Sequence, residues 1–386
     1  MTRVEATPTP SVLIWARKTA GMSVEVAAQR AAVKVEQLVS WEDGTARPTI
    51  PQLRKLASIF HRPLAAFYLP EPPTRFQVMH DFRRLSSENV PPESSPKLAY
   101  EIRKAFDRRE WTLELMGDMD ESPPPFEINA SSRESIEQVA NRLRMALGVS
   151  VAAQGSWRSE NDAFKQWRLL LERAGILTLQ ATDIQLKEAR GFSIGLKPLP
   201  VVVVNIKDAP RGRIFTLLHE ATHIMLNEGG ICDLHDDDAE AFCNRVAGAT
   251  LFPKDALLNT GTVLRHKKGD PTWTGLELQE ISRHFGGSRE AALVRLLTLG
   301  LTTQAYYDRM RSVFRRRYEE LQKEREKSTG FAPPHVIAIS SAGPLFTSVV
   351  VESFNREKIT ASDVSDYLQI RLKHLKDLQG EFSREA

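Results

Sequence analysis

His219-Glu220-Ala221-Thr222-His223 has a spacing suited to one chemical task, holding a metal ion that activates water. On an α-helix each residue turns the chain by about 100°, so side chains four apart share a face and both imidazoles can aim at one ion. A catalytic zinc takes about three protein ligands and leaves a position open, and Glu220, next to the first histidine, is placed to act as general base toward water. The same five residues could equally be an amphipathic helix with two satisfied histidines. H-E-x-x-H arises by chance in roughly one chain in a hundred of this length, so the flanking sequence has to decide.

Upstream, the β-branched run Val201 to Ile206 reads as a strand, and Asp208-Ala209-Pro210-Arg211-Gly212 as a turn. Ile214, Phe215, Leu218, Thr222, Met225 and Leu226 then fall at helical spacing and give a buried face beside the histidines. Asn227-Glu228-Gly229-Gly230 ends that helix. Arg211 and Arg213 near its start oppose the macrodipole, which asks for a compensating acid, either a surface carboxylate or a buried one anchored by Arg213. Downstream, Asp236-Asp237-Asp238 opens a second helix through Glu240 and Asn244. Glu240, 17 residues beyond His223, is the best third ligand, with Asp233, His235 and the aspartate run as competitors. Asn244, one turn later, could accept the free ring N–H of a ligating histidine.

Arg213-Ile214-Phe215-Thr216-Leu217-Leu218-His219-Glu220-Ala221-Thr222-His223, with Glu240-Ala241-Phe242-Cys243-Asn244-Arg245-Val246-Ala247 and Leu251-Phe252-Pro253, resembles the ImmA/IrrE family of zinc metallopeptidases. That pattern pairs an R-x-F-T-x-x-H-E-x-x-H helix with an E-x-x-A-N-x-F-A helix ending in proline. Thr222 stands where glycine is frequent and Val246 where phenylalanine is usual, and neither touches a ligand. The resemblance covers about residues 190 to 300 and implies Zn2+ on His219, His223 and Glu240, with Glu220 as catalytic base.

The chain has 386 residues, 41% hydrophobic and 26% charged, which is ordinary for a globular protein of two or three domains. A net charge of +3 is too small to imply a nucleic-acid partner by itself. No apolar leader or membrane-length run is present, so a cytoplasmic protein with no membrane partner is expected. Cys232 and Cys243 read as free thiols.

Residues 11 to 69 carry four or five short helical patterns. Ser11 to Thr19 is closed by Gly21, Ser23 caps the next, and a short turn leads into Lys34 to Glu42. Pro51 to Phe60 follows the breakers Gly44, Pro48 and Thr49. The short helices joined by a tight turn suggest helix-turn-helix geometry. With Trp41-Glu42-Asp43-Gly44, Pro48-Thr49, Leu53 and Leu56-Ala57 the stretch resembles the XRE, or lambda-repressor-like, family. Residues 11 to 70 hold eight Lys/Arg and four Asp/Glu, a surplus of four positive charges that favours phosphate contact. Gln29, Arg30, Lys34, Gln37 and Ser40 are the residues placed to meet double-stranded DNA, although Glu36 sits among them. A module for dimerisation or protein docking fits the same pattern.

The fold expected is mainly α with a small β-sheet, an α+β zincin-like peptidase domain joined to an all-α helix-turn-helix domain. Residues 1–75 form the helix-turn-helix part with its linker, 76–150 a helical connection, 151–300 the peptidase domain and 301–386 a helical extension. Asp81-Phe82-Arg83-Arg84 recurs in XRE-peptidase fusions of this type. A charged helix spans 94 to 117, and Ser132 to Leu147 carries Ile136, Val139, Ala140, Leu143 and Leu147 on one face. Strands at Ile176 to Leu179 and Gly191 to Ile194 complete the sheet, and Gly191 to Ile194 or Val201 to Ile206 would be the edge that pairs with substrate. Leu276 to Phe285 and Ser288 to Leu297 form a second helix-turn-helix-like pair, read as packing. Arg309 to Lys327 is a solvated charged helix. The resemblance implies an endopeptidase that cuts a specific protein, typically a transcriptional repressor, in stress response or mobile-element control. The alternative is a DNA-binding regulator or antitoxin-like module, possible as a dimer, whose zinc is not catalytic.

Overall fold

The computed structural model describes residues 5–60, 62, 64–72, 95–226, 237–327 and 333–374. Asp81 to Arg84, Asn227 to Gly230, Cys232, Asp233, His235 and Asp236 lie outside them. The chain divides into two compact units, Met1–His80 with Leu85–Phe106, and Asp81–Arg84 with Asp107–Ala386.

The first unit is all-α. Helices α1 (Pro10–Thr19), α2 (Val24–Ala31), α3 (Val35–Glu42) and α4 (Ile50–Ile59) are followed by a 3-10 turn, Leu64–Tyr68. Leu13, Ala16, Ala27, Leu38, Trp41, Leu53, Leu56, Phe60 and Phe67 close its core. Ser23 caps α2 by accepting from the Val26 N–H, and Thr49 with Gln52 forms a capping box on α4. Ala32, in the left-handed region at φ 57°, makes the tight turn between α2 and α3. Beneath them Arg17 forks onto Glu42, Nε to Oε1 at 2.7 Å and an Nη to Oε2 at 2.8 Å, both side chains buried. Removing one member of such a pair costs about 3–5 kcal/mol, because the other is left charged and alone.

Helix α5 (Pro96–Asp118) has residues in both units. It is the charged helix expected at 94 to 117, and three of its charged residues, Arg103, Arg108 and Arg109, are buried. In the second unit the Arg109 guanidinium donates to the carbonyls of Leu199 (3.0 Å) and Pro198 (2.6 Å), and Arg108 donates to Ser341 O (3.0 Å).

The second unit continues with α6 (Ile136–Ala146), α7 (Val151–Ser156) and α8 (Glu160–Arg173). Helix α6 starts four residues later than expected. The Glu134 carboxylate takes the Ser131 N–H at 2.8 Å and closes a turn there instead. Strands β1 (Leu177–Ala181), β2 (Gly191–Ile194) and β3 (Val201–Asn205) form one mixed sheet in the order β1-β3-β2, with β1 parallel and β2 antiparallel to β3. This corrects one expectation. β3 is paired on both sides and offers no edge, and its unbroken run of buried valines reflects the covering of both its faces.

Against the sheet lies α9 (Pro210–Leu226), with α10 (Asp237–Leu251) packed on it and on α6. Short helices α11 (Lys254–Leu258) and α12 (Gly261–Leu264) lead to α13 (Gly275–Phe285) and α14 (Arg289–Thr298). The latter two, helix-turn-helix-like by sequence, bury Leu278, Ile281, Phe285, Ala292, Leu293 and Leu296 in the main core, so they serve packing. The long α15 (Gln304–Lys327) carries exposed ion pairs, Arg315 with Glu319 and Arg317 with Glu320. Finally α16 (Pro334–Ala342) lies beside β1, followed by α17 (Pro344–Asn355) and α18 (Ala361–Leu368), the last opened by a Thr360–Asp363 capping box. Among the described residues no single helix is long and apolar enough to cross a membrane.

Candidate metal centre

The spacing predicts one buried face for α9, but the helix is buried all round from Thr216 to Met225, between the sheet, α8 and α10. Its N-terminus is built around Asp208, a buried acid that accepts from Arg190 (2.8 Å), the Tyr318 hydroxyl (3.0 Å) and the Ala209 N–H (2.8 Å). A carboxylate there faces the positive end of the helix dipole. Gly212 makes room for it, since a Cβ at that position would lie 2.7 Å from the Asp208 carboxylate. Arg213 donates to Gln180 Oε1 at 2.6 Å and lies 4.3 Å over the Phe164 ring, while Arg211 reaches Ser282 (2.5 Å) and Glu160 (3.2 Å). Anchored in this way, the helix presents its histidine pair to α10.

His219, His223 and Glu240 come together, each offering a ligand atom within 4.8 Å of the others. The two Nε2 atoms are 3.0 Å apart, and Glu240 lies 3.5 Å from His219 Nε2 through Oε2 and 3.0 Å from His223 Nε2 through Oε1. Two imidazole nitrogens and a carboxylate at such distances repel unless a proton or cation sits among them. Ligand atoms around a tetrahedral zinc, at roughly 2.0–2.1 Å from the ion, lie roughly 3.3–3.4 Å from one another, so the spacing and the N, N, O donor set fit that metal. Burial disfavours the charged form of Glu240, but hydrogen bonds and charge from His219 and His223 outweigh it and hold the carboxyl well below the usual range. It therefore stands ready as an anion, the form a metal requires.

Glu220 is only 2% exposed, and its Oε2 accepts the Ser193 hydroxyl at 2.9 Å. Ser193 went unnoticed in the sequence because nothing local marks a β2 serine as the neighbour of a residue 27 positions on. The sequence marks Gly191 only as a strand start. A Cβ there would come within 2.4 Å of Thr216 Cγ2 and 2.7 Å of Val203 O, so α9 can sit this close to β2 only over a glycine. Cys243 is a buried free thiol as expected, and burial, opposed by nearby His223, pushes its pKa up. Asn244 sits half-buried on α10, one turn beyond Glu240.

The expected DNA-contact residues cluster on α2 and α3 of the first unit. Gln29, Arg30, Lys34 and Gln37 are exposed, with Glu25, Glu36, Val26 and Val39 exposed among them. Ser40 is half-buried and its hydroxyl donates to Gln37 O at 2.8 Å.

A helix-borne histidine pair and a carboxylate from the next helix form a cluster that could hold a metal ion, with a buried acid beside it. Residues 171–297 match the family model Peptidase_M78, described as the IrrE N-terminal-like domain, a span that runs from β1 through α14 and contains all of these residues. No curated protein was found to match the chain.

Proposed function

We propose that the protein is a cytoplasmic zinc-dependent endopeptidase that cuts a specific protein, of the transcriptional-repressor class, in stress response or mobile-element control. The observation that carries this reading is the convergence of His219, His223 and Glu240 beside the buried Glu220. His219, His223 and Glu240 would hold the ion, and Asn244 would steady a ligating ring. When bound, zinc supplies Lewis acidity, polarising a carbonyl and lowering the pKa of water to roughly 7. Glu220 takes a proton from the attacking water and passes it to the departing amine as the peptide C–N bond breaks. The substrate backbone would lie along the outer edge of β2. Asn205 N donates to Arg190 O, so with the β2–β3 register Phe192 and Ile194 bond to β3, and the main-chain groups of Gly191 and Ser193 turn outward. The repressor class rests on the motif resemblance and on the helix-turn-helix-like first unit.

Glu220→Gln keeps the ligands and the Ser193 contact but cannot take the proton. Zinc content and fold should persist while cleavage falls by about 10²–10⁴-fold. If the Glu220→Gln protein regulates its target genes as well as the wild type, the peptidase reading is wrong, and the α2–α3 surface carries the function. For that surface we propose double-stranded DNA as the partner, since Gln29, Arg30, Lys34 and Gln37 are solvent-facing. Lys34→Ala with Gln37→Ala should then weaken operator binding and leave peptide hydrolysis intact, and wild-type affinity should fall steeply with salt. Weak, salt-insensitive DNA affinity would assign the surface to a protein partner.

A further inference from the structure

We infer that Ser193 is a positioning residue for Glu220, and that Gly191 and Ser193 together form the cradle in which β2 holds the general base; the inference rests on the peptidase reading above. A glutamate side chain has three rotatable bonds, and a base that wanders among rotamers spends little time near its proton. Glu220 is confined from one side by the Ser193 hydroxyl, at 2.9 Å from Oε2. On the other side, a Cβ built on Gly191 would lie 3.6 Å from Glu220 Oε1, so the strand backbone itself borders the second oxygen. Both residues therefore face α9 with their side-chain positions while turning their main-chain N–H and C=O groups to the outer edge of the sheet, which no other strand pairs among the described residues. A peptide that added itself to that edge would fix the backbone of the residue that orients the base. Substrate binding and base alignment would then be a single event, and a chain that cannot pair along β2 would meet a poorly held Glu220.

The test uses the full zinc-loaded chain and a peptide library prepared from a whole proteome, with cleaved peptides found by mass spectrometry and kinetics taken on the best-cleaved one. Ser193→Ala should lower kcat by about 10- to 100-fold, with KM within about twofold of wild type and zinc content unchanged. Ser193→Thr retains the hydroxyl on a residue that suits a strand and should recover most of the loss. A readout independent of activity is the unfolding midpoint of the metal-free protein, in which Ser193→Ala and Glu220→Ala should shift non-additively because they remove two halves of one hydrogen bond. Wild-type kcat in Ser193→Ala, a loss carried by KM alone, failure of the threonine to restore it, or additive midpoints would each overturn the assignment. A wild-type chain that makes no zinc-dependent cut would instead sink the peptidase reading and take the assignment with it, even if the midpoints prove coupled.

Discussion

The two edges of the three-stranded sheet are treated in opposite ways. On the β1 side the outward carbonyls are occupied, Thr178 O by the Arg168 guanidinium at 2.7 Å and Gln180 O by the Ser341 hydroxyl at 3.1 Å. Arg168 also reaches Ser340 O at 2.9 Å, and Glu172 accepts from Thr178 Oγ1 (2.6 Å) and from the Leu345 N–H (2.8 Å). On the β2 side the outward groups of Gly191 and Ser193 meet no further strand among the described residues, and the proposed base lies just behind them. An unpaired strand edge invites other chains, so covering one edge with helices and leaving the other open limits strand addition to the side where it can be used. The C-terminal helices are thus part of what completes the sheet, since α16 and the start of α17 take up the polar groups on its β1 side.

The largest expected effect is on the sealed edge. Arg168→Ala should cost about 3–5 kcal/mol in urea unfolding, since it leaves three acceptors, Thr178 O, Thr178 Oγ1 and Ser340 O, without their donor at roughly 1–3 kcal/mol for each that stays unsatisfied. Specific activity per folded molecule should change little. A drop in kcat as large as that of Ser193→Ala would break the distinction between the edges.

Next is a pH effect on the same seal. Burial, opposed by Arg168 and by hydrogen bonds from Thr178 and Leu345, pushes the Glu172 carboxyl up to about 7. The folded state then holds a proton that the unfolded state releases near pH 4.5. Stability relative to Glu172→Gln should therefore be highest below pH 4.5 and decline by roughly 3 kcal/mol as pH rises to about 7, after which the gap is constant. Urea titrations of both proteins across that range, giving parallel pH profiles, would remove Glu172 from this role.

Gly191→Ala sharpens the open edge. Contact with the main-chain Val203 O and with Thr216 should cost about 1–3 kcal/mol and push β2 off α9, with a loss of kcat that exceeds the loss of folded protein.

The smallest effect concerns His266, stacked on Trp273 and held between Asp270 (2.9 Å) and Glu277 (3.0 Å), far in sequence from either edge. Burial opposes its charge, but the two carboxylates win and raise its pKa. Its stabilisation, less than about 1 kcal/mol after solvent screening, should be complete below pH 6.5 and lost as pH rises through the folded value. Thermal unfolding of His266→Ala and wild type between pH 5 and 9 tests the sign.

Much of this was legible in the sequence. His219, Glu220 and His223 stand out because metal chemistry restricts residue type and spacing at once, whereas Glu240 is separated from Asp233, His235 and the aspartate run only by the motif resemblance; the strand at Gly191 to Ile194 is also legible. Strand order was not legible, because Val201 to Asn205 reads the same at an edge or at the centre until its partners are known. Nor were the buried arginines. Arg109 serves the carbonyls of Pro198 and Leu199, and backbone acceptors leave no mark on a sequence, so the sequence shows α5 as a charged helix without showing which charges are buried. The Arg17–Glu42 pair was hidden for a related reason, since charge periodicity shows where a residue points but not what waits there.

Gln180 has a consequence for truncation. Its amide takes Arg213 of α9 on its oxygen at 2.6 Å and gives its nitrogen to Ser340 of α16 at 2.7 Å. An amide has distinct ends, so this bridge joins two particular partners in one orientation. A chain cut near residue 297 would lack the helix that receives the nitrogen and would leave a buried amide donor idle beside the start of α9. The span matched by the family model is therefore shorter than the compact unit that carries it.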